Sequence, residues 1–373
     1  VTDMSRMFYQ CAYDSTVFKL DLGKNFDTSM VTDMSSMFYC CGMHSTGFTL
    51  TLGDRFDTSK VTDMSYMFSS CGYLAPNFTL DLGELFHTSE VTNMSGMFSF
   101  CGQISKVFTL DLKDQFDTSK VTNMSEMFQA CGQKSLVFKL DFGELFHTSE
   151  VTNINSLFSS CGKSSSSFTL HLKDQFDTSK VTDMKHMFSS CGQHARSFTL
   201  DLGKNFDTSK VTNMRGIFAN CGQYSKVFTL DLGDRFDTSN VTNMARMFFY
   251  TGYISPVFTL TLGNRFDTAK ATTMEEMFYY CGSNSKAFTT LDLSAFQVST
   301  DTDLSGFAME TPITTFLFGE GWANATLPAT GSETGAFYAI RQTDTTVVGA
   351  TKNLSAYDWA SDNRSVTGLQ PNT

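Results

Sequence analysis

The sequence predicts a repeat solenoid: a leucine-rich-repeat-like stack in which each coil holds one short parallel β-strand and a short helical turn. The first observation is a period of 30 residues that runs without gaps from Val1 to about Phe288. The second is composition, because the 37 Phe and 20 Met fall largely into columns that this period aligns. A fixed period of about 20 to 50 residues is typical of stacked architectures whose units contact only their neighbours.

The strand and the turn follow from the spacing of apolar residues within one unit. We number each unit from position 1 to position 30, with Val1 at position 1. The segment FKLDL, from Phe18 to Leu22, alternates apolar and polar residues and predicts a short strand with Phe18 and Leu20 pointing inward. In SxMFxxC, which ends at Cys11, the inward residues recur at spacings of three and four, which predicts one or two helical turns.

Nine of the ten cysteines occupy position 11, and one coil has Thr251 there instead. This spacing matches neither a zinc motif nor a small disulfide framework. Disulfides between neighbouring coils and a metal ladder remain alternatives, but the preferred interpretation is a column of small buried hydrophobes. Cys40 lies outside the column, and we expect it to be partly exposed. The predicted core columns begin with Phe8, Phe18, Phe26, Cys11, Cys41 and Cys71.

Two stretches, FDTSKVTDMSYMFSSCG at 56–72 and LDLGKNFDTSKVTNM at 200–214, resemble the units of the BspA-like leucine-rich-repeat surface proteins. The resemblance covers about 300 residues of the chain. It implies a solenoid that host-associated bacteria display or secrete as an adhesin or structural protein, without catalysis. These units are several residues longer than the usual unit of that family, and the extra residues lie between the cysteine and the strand.

The C-terminal section departs from the repeat. We predict a solenoid domain at 1–309, with ten 30-residue repeats and a degenerate last coil, followed by a small β-rich cap or junction at 310–373. LPATG, at Leu327 to Gly331, matches the pattern that sortases cleave. A working sortase signal is followed by an apolar span and a basic tail, and neither follows here, so we interpret the match as coincidental.

Charge and motifs exclude several classes of function. The net charge is 27 − 38 = −11, which disfavours nucleic acid and anionic membrane surfaces as partners. No run of about 18 apolar residues predicts a membrane span, and no enzyme motif is present. The acidic columns that begin at Asp3, Asp21 and Asp27 suggest calcium only weakly, and the outward threonines at position 19 suggest ice binding only weakly. The sequence therefore predicts neither an enzyme nor a cofactor nor a metal site.

Position 30 carries alternating charge, in the order Lys60, Glu90, Lys120, Glu150 and Lys180. In a stack, residues at the same position lie about 4.8 Å apart, so opposite charges in successive coils attract. We therefore expect ion pairs along this column.

Six positions, 6, 9, 10, 13, 14 and 16, vary freely while their neighbours stay fixed. A variable surface on a fixed frame suits a binding face, although drift on a solvated face explains it equally simply. Aromatic residues cluster at these positions in two adjacent coils and favour contact with protein or sugar. The predicted binding residues are Phe249, Tyr250, Tyr253, Tyr279 and Tyr280.

The pattern as a whole predicts a non-enzymatic extracellular protein, secreted or on the bacterial cell surface. Its expected partner is a host or neighbour-cell protein or glycan, bound through the variable face. The alternative is a structural stalk or a filament subunit that self-associates through open solenoid ends, because open sheet ends associate readily.

Overall fold

The computed structural model describes residues 1–313, 315–318 and 321. The chain divides into two compact units, Val1–Phe206 and Asp207–Thr373. Each unit is a β-solenoid with repeats of about 30 residues. LPATG and most of the predicted C-terminal section lie outside the described residues.

Short parallel strands stack in register within each unit. The first unit contains β1 (Val17–Asp21), β2 (Gly47–Thr51), β3 (Val107–Asp111), β4 (Val137–Asp141), β5 (Ser167–His171) and β6 (Ser197–Asp201). The second contains β7 (Val227–Asp231), β8 (Val257–Thr261), β9 (Thr290–Leu293) and β10 (Thr315–Phe318). From β1 to β8, paired residues are 30 apart, as in Phe108 with Phe138, whereas β9 and β10 pair residues that are 25 apart. The pairs are β1–β2, β3–β4–β5–β6, β7–β8 and β9–β10.

The inward columns that the period predicts form the core. In β3 the burial alternates, with Phe108 and Leu110 buried between exposed neighbours. The position-8 phenylalanines stack face to face along the coils: the ring centroids of Phe38 and Phe68 lie 5.5 Å apart, and the planes differ by 4°. Each ring therefore buries both of its faces against the coils on either side, so neighbouring coils stabilise one another.

The predicted helical turn is wrong, because positions 4 to 15 form a chain of β-turns that we call the turn ladder. N–H groups at odd positions from 7 to 15 donate within the coil to the residue three before, as Tyr39 does to the Ser36 carbonyl at 3.1 Å. Those at even positions from 4 to 10 donate to the next coil, as Phe38 does to the Met67 carbonyl at 2.9 Å. An α-helix would instead need donation to the residue four before. Apolar spacings of three and four fit both structures.

The turn ladder needs left-handed backbone at fixed positions. Residues at positions 6 and 10 have positive φ, for example 57° at Ser36 and 56° at Cys40. At position 12 the residue is usually glycine, as at Gly132, where an added Cβ would lie 2.4 Å from the Phe138 ring. Glycine at position 12 is thus required by both conformation and space.

The last coil absorbs one inserted residue. β9 starts late, at Thr290, and only two residues lie between Leu293 and Phe296, where three lie between Leu22 and Phe26. The shorter turn restores the register, so Thr273 still bridges to Asp303. β10, in the segment predicted as the cap, pairs with β9 in the same parallel sense.

Candidate functional site

The five predicted binding residues come together on the turn ladder of the coils at 241–270 and 271–300. We call this group the aromatic patch: Phe249, Tyr250, Tyr253, Tyr279 and Tyr280. All five side chains are half-buried. Their backbone is fixed between coils, because the Tyr250 N–H donates to the Tyr279 carbonyl at 2.8 Å and the Tyr280 N–H donates to the Met309 carbonyl at 2.8 Å.

The rings of the aromatic patch pack on one another in two rows. Phe249 stacks on Tyr279 with centroids 5.4 Å apart, and Tyr250 stacks on Tyr280 at 4.7 Å. Tyr253 meets Tyr250 and Tyr280 edge to face, at 5.1 and 5.2 Å. Many ring faces are thus occupied by neighbouring rings, and the patch presents mainly edges and tyrosine hydroxyls.

A charged network borders the aromatic patch, and sequence reasoning missed it. Arg246 Nε lies 2.7 Å from Glu276 Oε2, and Arg246 Nη2 lies 3.6 Å from Glu275 Oε1. Arg215 also reaches Glu275, at 3.4 Å. The Arg246 guanidinium lies 5.5 Å from the centre of the Phe249 ring. Arg246 and Glu276 both occupy variable position 6, which is the signal that could have found them.

Burial raises the pKa of the Tyr250 hydroxyl, with smaller contributions from the neighbouring Tyr279 and Tyr280. The hydroxyl therefore stays protonated at neutral pH and can both donate and accept a hydrogen bond. The patch offers hydrogen bonds together with apolar area, a combination that suits recognition.

Of the six residues that begin the predicted core columns, three are buried and three are half-buried. Phe18 is 2% exposed, and Cys41 and Cys71 are fully buried. Phe8, Cys11 and Phe26 belong to the first coil and are only half-buried. Their counterparts in later coils are buried, as is Phe18 of the first coil.

The cysteine column has a role that the sequence did not reveal. The Cys71 thiol donates to the Phe38 carbonyl at 3.0 Å, and the Cys41 thiol donates to the Phe8 carbonyl at 2.9 Å. Thr251 replaces cysteine with a hydroxyl that donates the equivalent bond to Phe218 at 2.7 Å. All ten cysteines are free thiols. Position 11 therefore combines burial with donation to the preceding coil.

The expectation of a partly exposed Cys40 is wrong, because its side chain is 5% exposed. The residue follows Tyr39 on the turn ladder, and its thiol interacts with the hydroxyls of Ser70 and Tyr39. Burial raises the pKa of the Cys40 thiol, and these two hydrogen bonds oppose that rise.

The acidic columns cap turns. The Asp33 carboxylate accepts the N–H of Ser35 at 2.8 Å, two residues on, and Asp57 and Asp81 accept N–H groups in the same way. Asparagine performs this task too, as Asn93 does for Ser95 at 3.1 Å, which explains why Asp and Asn interchange at position 3. Among the described residues, no group of three or more His, Cys, Asp or Glu side chains could hold a metal ion.

The expected ion pairs along position 30 are confirmed in two places. Lys120 Nζ lies 2.7 Å from Glu90 Oε1, and Lys180 Nζ lies 2.6 Å from Glu150 Oε2. These pairs are solvent-exposed, so each contributes at most about 1 kcal/mol to stability.

Within the part of the chain that the structure describes, no helix is long and apolar enough to cross a membrane.

These features define a β-solenoid repeat protein with a buried frame and a variable turn ladder. Its family follows from comparison with family models. The model described as "Mycoplasma protein of unknown function, DUF285" matches in five overlapping segments: 2–137, 43–170, 77–201, 133–251 and 193–312. The chain belongs to this family. No curated protein and no solved structure matches.

Proposed function

We propose that the protein is a non-enzymatic, extracellular bacterial surface protein of the BspA-like, adhesin type. Its turn ladder recognises a protein or glycan of a host or neighbouring cell, while the buried columns hold that surface rigid. The leading contact region in this proposal is the aromatic patch.

The observation that carries the proposal is the backbone cost of positions 6 and 10. Their left-handed conformation costs roughly 1 kcal/mol or more for a residue with a side chain, and glycine avoids that cost. Yet position 6 holds glycine in only three described coils, at Gly96, Gly216 and Gly306, and position 10 holds none. Several position-10 side chains, among them Cys40 and Ala130, are buried and contribute to packing. Where the side chain reaches the surface, as in the aromatic patch, recognition gives a reason to keep it.

Four residues of the aromatic patch and of the charged network beside it have this left-handed backbone. Tyr250 and Tyr280 have φ of 54° and 53° at position 10, and Arg246 and Glu276 have 58° and 50° at position 6. Tyrosine and arginine are the residues most enriched where binding energy concentrates in interfaces. Three of these four left-handed positions in two adjacent coils thus carry tyrosine or arginine, and the fourth carries Glu276, which pairs with Arg246.

A variant with Tyr250, Tyr253, Tyr279 and Tyr280 all replaced by serine tests the proposal. We expect it to attach less to cultured epithelial cells or to whole bacterial cells, with the same melting temperature as the parent. The matched control replaces four other tyrosines, Tyr9, Tyr13, Tyr39 and Tyr66, by serine.

Equal attachment by the parent and both variants would remove the aromatic patch as the contact region. Absence of attachment to either kind of cell, together with growth of mass in light scattering as concentration rises, would favour the structural alternative of a self-associating filament.

A further inference from the structure

A cleft opens between the second and third coils, away from the variable positions. It encloses about 640 Å³ and is lined by two segments, 50–54 and 81–85, together with Phe56. This volume falls within the range typical of ligand pockets, about 300–1,000 Å³.

The cleft exists because the sheet is interrupted there. In four of the coils, the N–H at position 22 donates to the carbonyl at position 21 of the next coil, as Leu22 does to Thr51 at 3.0 Å and Leu112 does to Asp141 at 3.1 Å. The Leu52 N–H has no such partner among the described residues. The third coil forms no strand at 77–81, after Pro76, which lacks an N–H.

The third coil is bonded to the fourth at the start of this segment. The Phe78 N–H donates to the Ser105 hydroxyl at 3.2 Å, as the Phe258 N–H does to the Ser285 hydroxyl at 2.9 Å in a later coil. The ring of Phe78 still packs against Phe48, at 4.9 Å between centroids. The coils therefore remain stacked at Phe78 and lose their strand pairing beyond it, toward Gly83.

The walls of the cleft combine apolar and acidic groups. Leu50, Leu52 and Leu82 line it with buried side chains. Asp54 and Glu84 are exposed, and neither carboxylate has an ion pair within the described part of the chain. Asp81 differs, because Lys113 Nζ lies 2.9 Å away and its hydrogen bond, with that of the Gly83 N–H, lowers the pKa of the Asp81 carboxyl.

We propose that this cleft binds an extended peptide segment in which lysine or arginine alternates with an apolar side chain. The cationic side chains pair with Asp54 and Glu84, and the apolar side chain packs on the leucines. A peptide carbonyl accepts the hydrogen bond of the Leu52 N–H, as the next coil does for Leu22 and Leu112. This site lies at positions 20 to 26 of the coil and does not depend on the aromatic patch.

The experiment titrates the intact protein with acetyl-Lys-Leu-Lys-Leu-amide and follows binding by calorimetry at physiological salt. We expect saturable binding at one site. Replacement of both leucines by serine should abolish it through loss of the apolar contact, and replacement of both lysines by glutamate should abolish it through charge repulsion.

The repeat supplies a matched control for the charges. Asp114 and Glu144 occupy the same unit position, 24, in the fourth and fifth coils, where the sheet is closed by the bond from Leu112 to Asp141. We expect the double substitution Asp54→Asn with Glu84→Gln to lower the affinity for the peptide by at least about fivefold, the loss that two exposed ion pairs would cause. Asp114→Asn with Glu144→Gln should leave the affinity unchanged.

Equal weakening by the two pairs of substitutions would mean that the peptide senses only the net charge of −11, and the proposal would be overturned. Failure of the Lys-Leu peptide to bind, or equal binding of the serine peptide, would overturn it as well. Attachment through the aromatic patch is measured separately, so either proposal can fail without the other.

Discussion

Along the turn ladder, inward residues at positions 4, 7, 8 and 11 alternate with variable residues at positions 6, 9 and 10, of which a few, such as Cys40 and Ala130, are buried and most reach the surface. The inward side is nearly constant: Met124, Met127, Phe128 and Cys131 are all fully buried, and almost every coil repeats these residue types. The outward side changes from coil to coil, even where glycine would relax the backbone. The frame is therefore set by packing, and we propose that recognition of a partner keeps the surface side chains of the variable positions.

The largest expected effect comes from alkaline pH acting on the inward side. Burial raises the pKa of the Cys41 thiol from its ordinary 9.0 to about 12, and burial raises the pKa of Cys71 and Cys131 well above that ordinary value. A raised folded pKa gives stability that is fully present below the unfolded pKa and is lost as pH rises toward the folded pKa. Above pH 9, each such thiol lowers the free energy of unfolding by about 1.4 kcal/mol per pH unit.

Urea midpoints at about pH 8 and about pH 10.5 measure this loss. We expect a fall of the midpoint, and a smaller fall in a variant with Cys71, Cys101 and Cys131 all replaced by threonine. Equal falls in parent and variant would assign the effect to other groups.

The next largest effect is loss of a ring from the core. Phe128→Ala, in the fifth coil, should lower the free energy of unfolding by about 3–5 kcal/mol, as buried phenylalanine truncations do. Phe128 stacks on Phe98 and Phe158, with centroids 6.0 and 5.6 Å away, so coils on both sides lose contacts. Chemical denaturation measures it, and an unchanged midpoint would contradict the buried-frame account.

A smaller effect separates two left-handed positions. Gly132→Ala, at position 12, places a Cβ 2.4 Å from the Phe138 ring, and we expect a loss of about 2–4 kcal/mol from strain and overpacking. Ser156→Ala, at position 6, changes a residue that already has φ of 56°, so the loss should stay below about 0.5 kcal/mol. Thermal melting of the two variants measures the two losses of stability. Equal losses would contradict the difference expected between positions 12 and 6.

The smallest effect concerns the thiol hydrogen bond. Cys71→Thr keeps a donor to the Phe38 carbonyl, as Thr251 does for Phe218, whereas Cys71→Val has nearly the same shape as threonine and no donor. The valine variant should be less stable than the threonine variant by about 1 kcal/mol. Equal denaturation midpoints would mean that position 11 requires only burial.

The sequence was sufficient for the columns and insufficient for the backbone that joins them. Phe18, Cys41 and the alternation in the strands follow from a 30-residue period that only stacking explains. The turn ladder was mistaken for a helix because a sequence shows which residues point inward but not whether an N–H donates within its coil or across coils. Glycine at position 12, together with Gly96 and Gly216 at position 6, is the sequence signal that indicates left-handed backbone at these positions.

The aromatic patch was predicted residue by residue, because all five side chains share the variable positions of two adjacent coils. Its charged border was not, since Arg246 and Glu275 pair only once the coils stack. The cleft at Leu52 was also beyond the sequence. Pro256 stands at the same unit position as Pro76, yet β8 still pairs with β7, so proline at this position does not by itself predict an open sheet.

The most direct test of the central claim asks whether the outward side chains are kept at a cost to stability. Asn220 occupies position 10 with φ of 58°, a conformation that asparagine tolerates better than tyrosine does. Tyr250→Asn with Tyr280→Asn therefore installs a residue that this fold already uses. Melting temperature and attachment to epithelial or bacterial cells are measured on the same preparation. The account predicts an equal or higher melting temperature with weaker attachment, whereas a lower melting temperature with full attachment would contradict it.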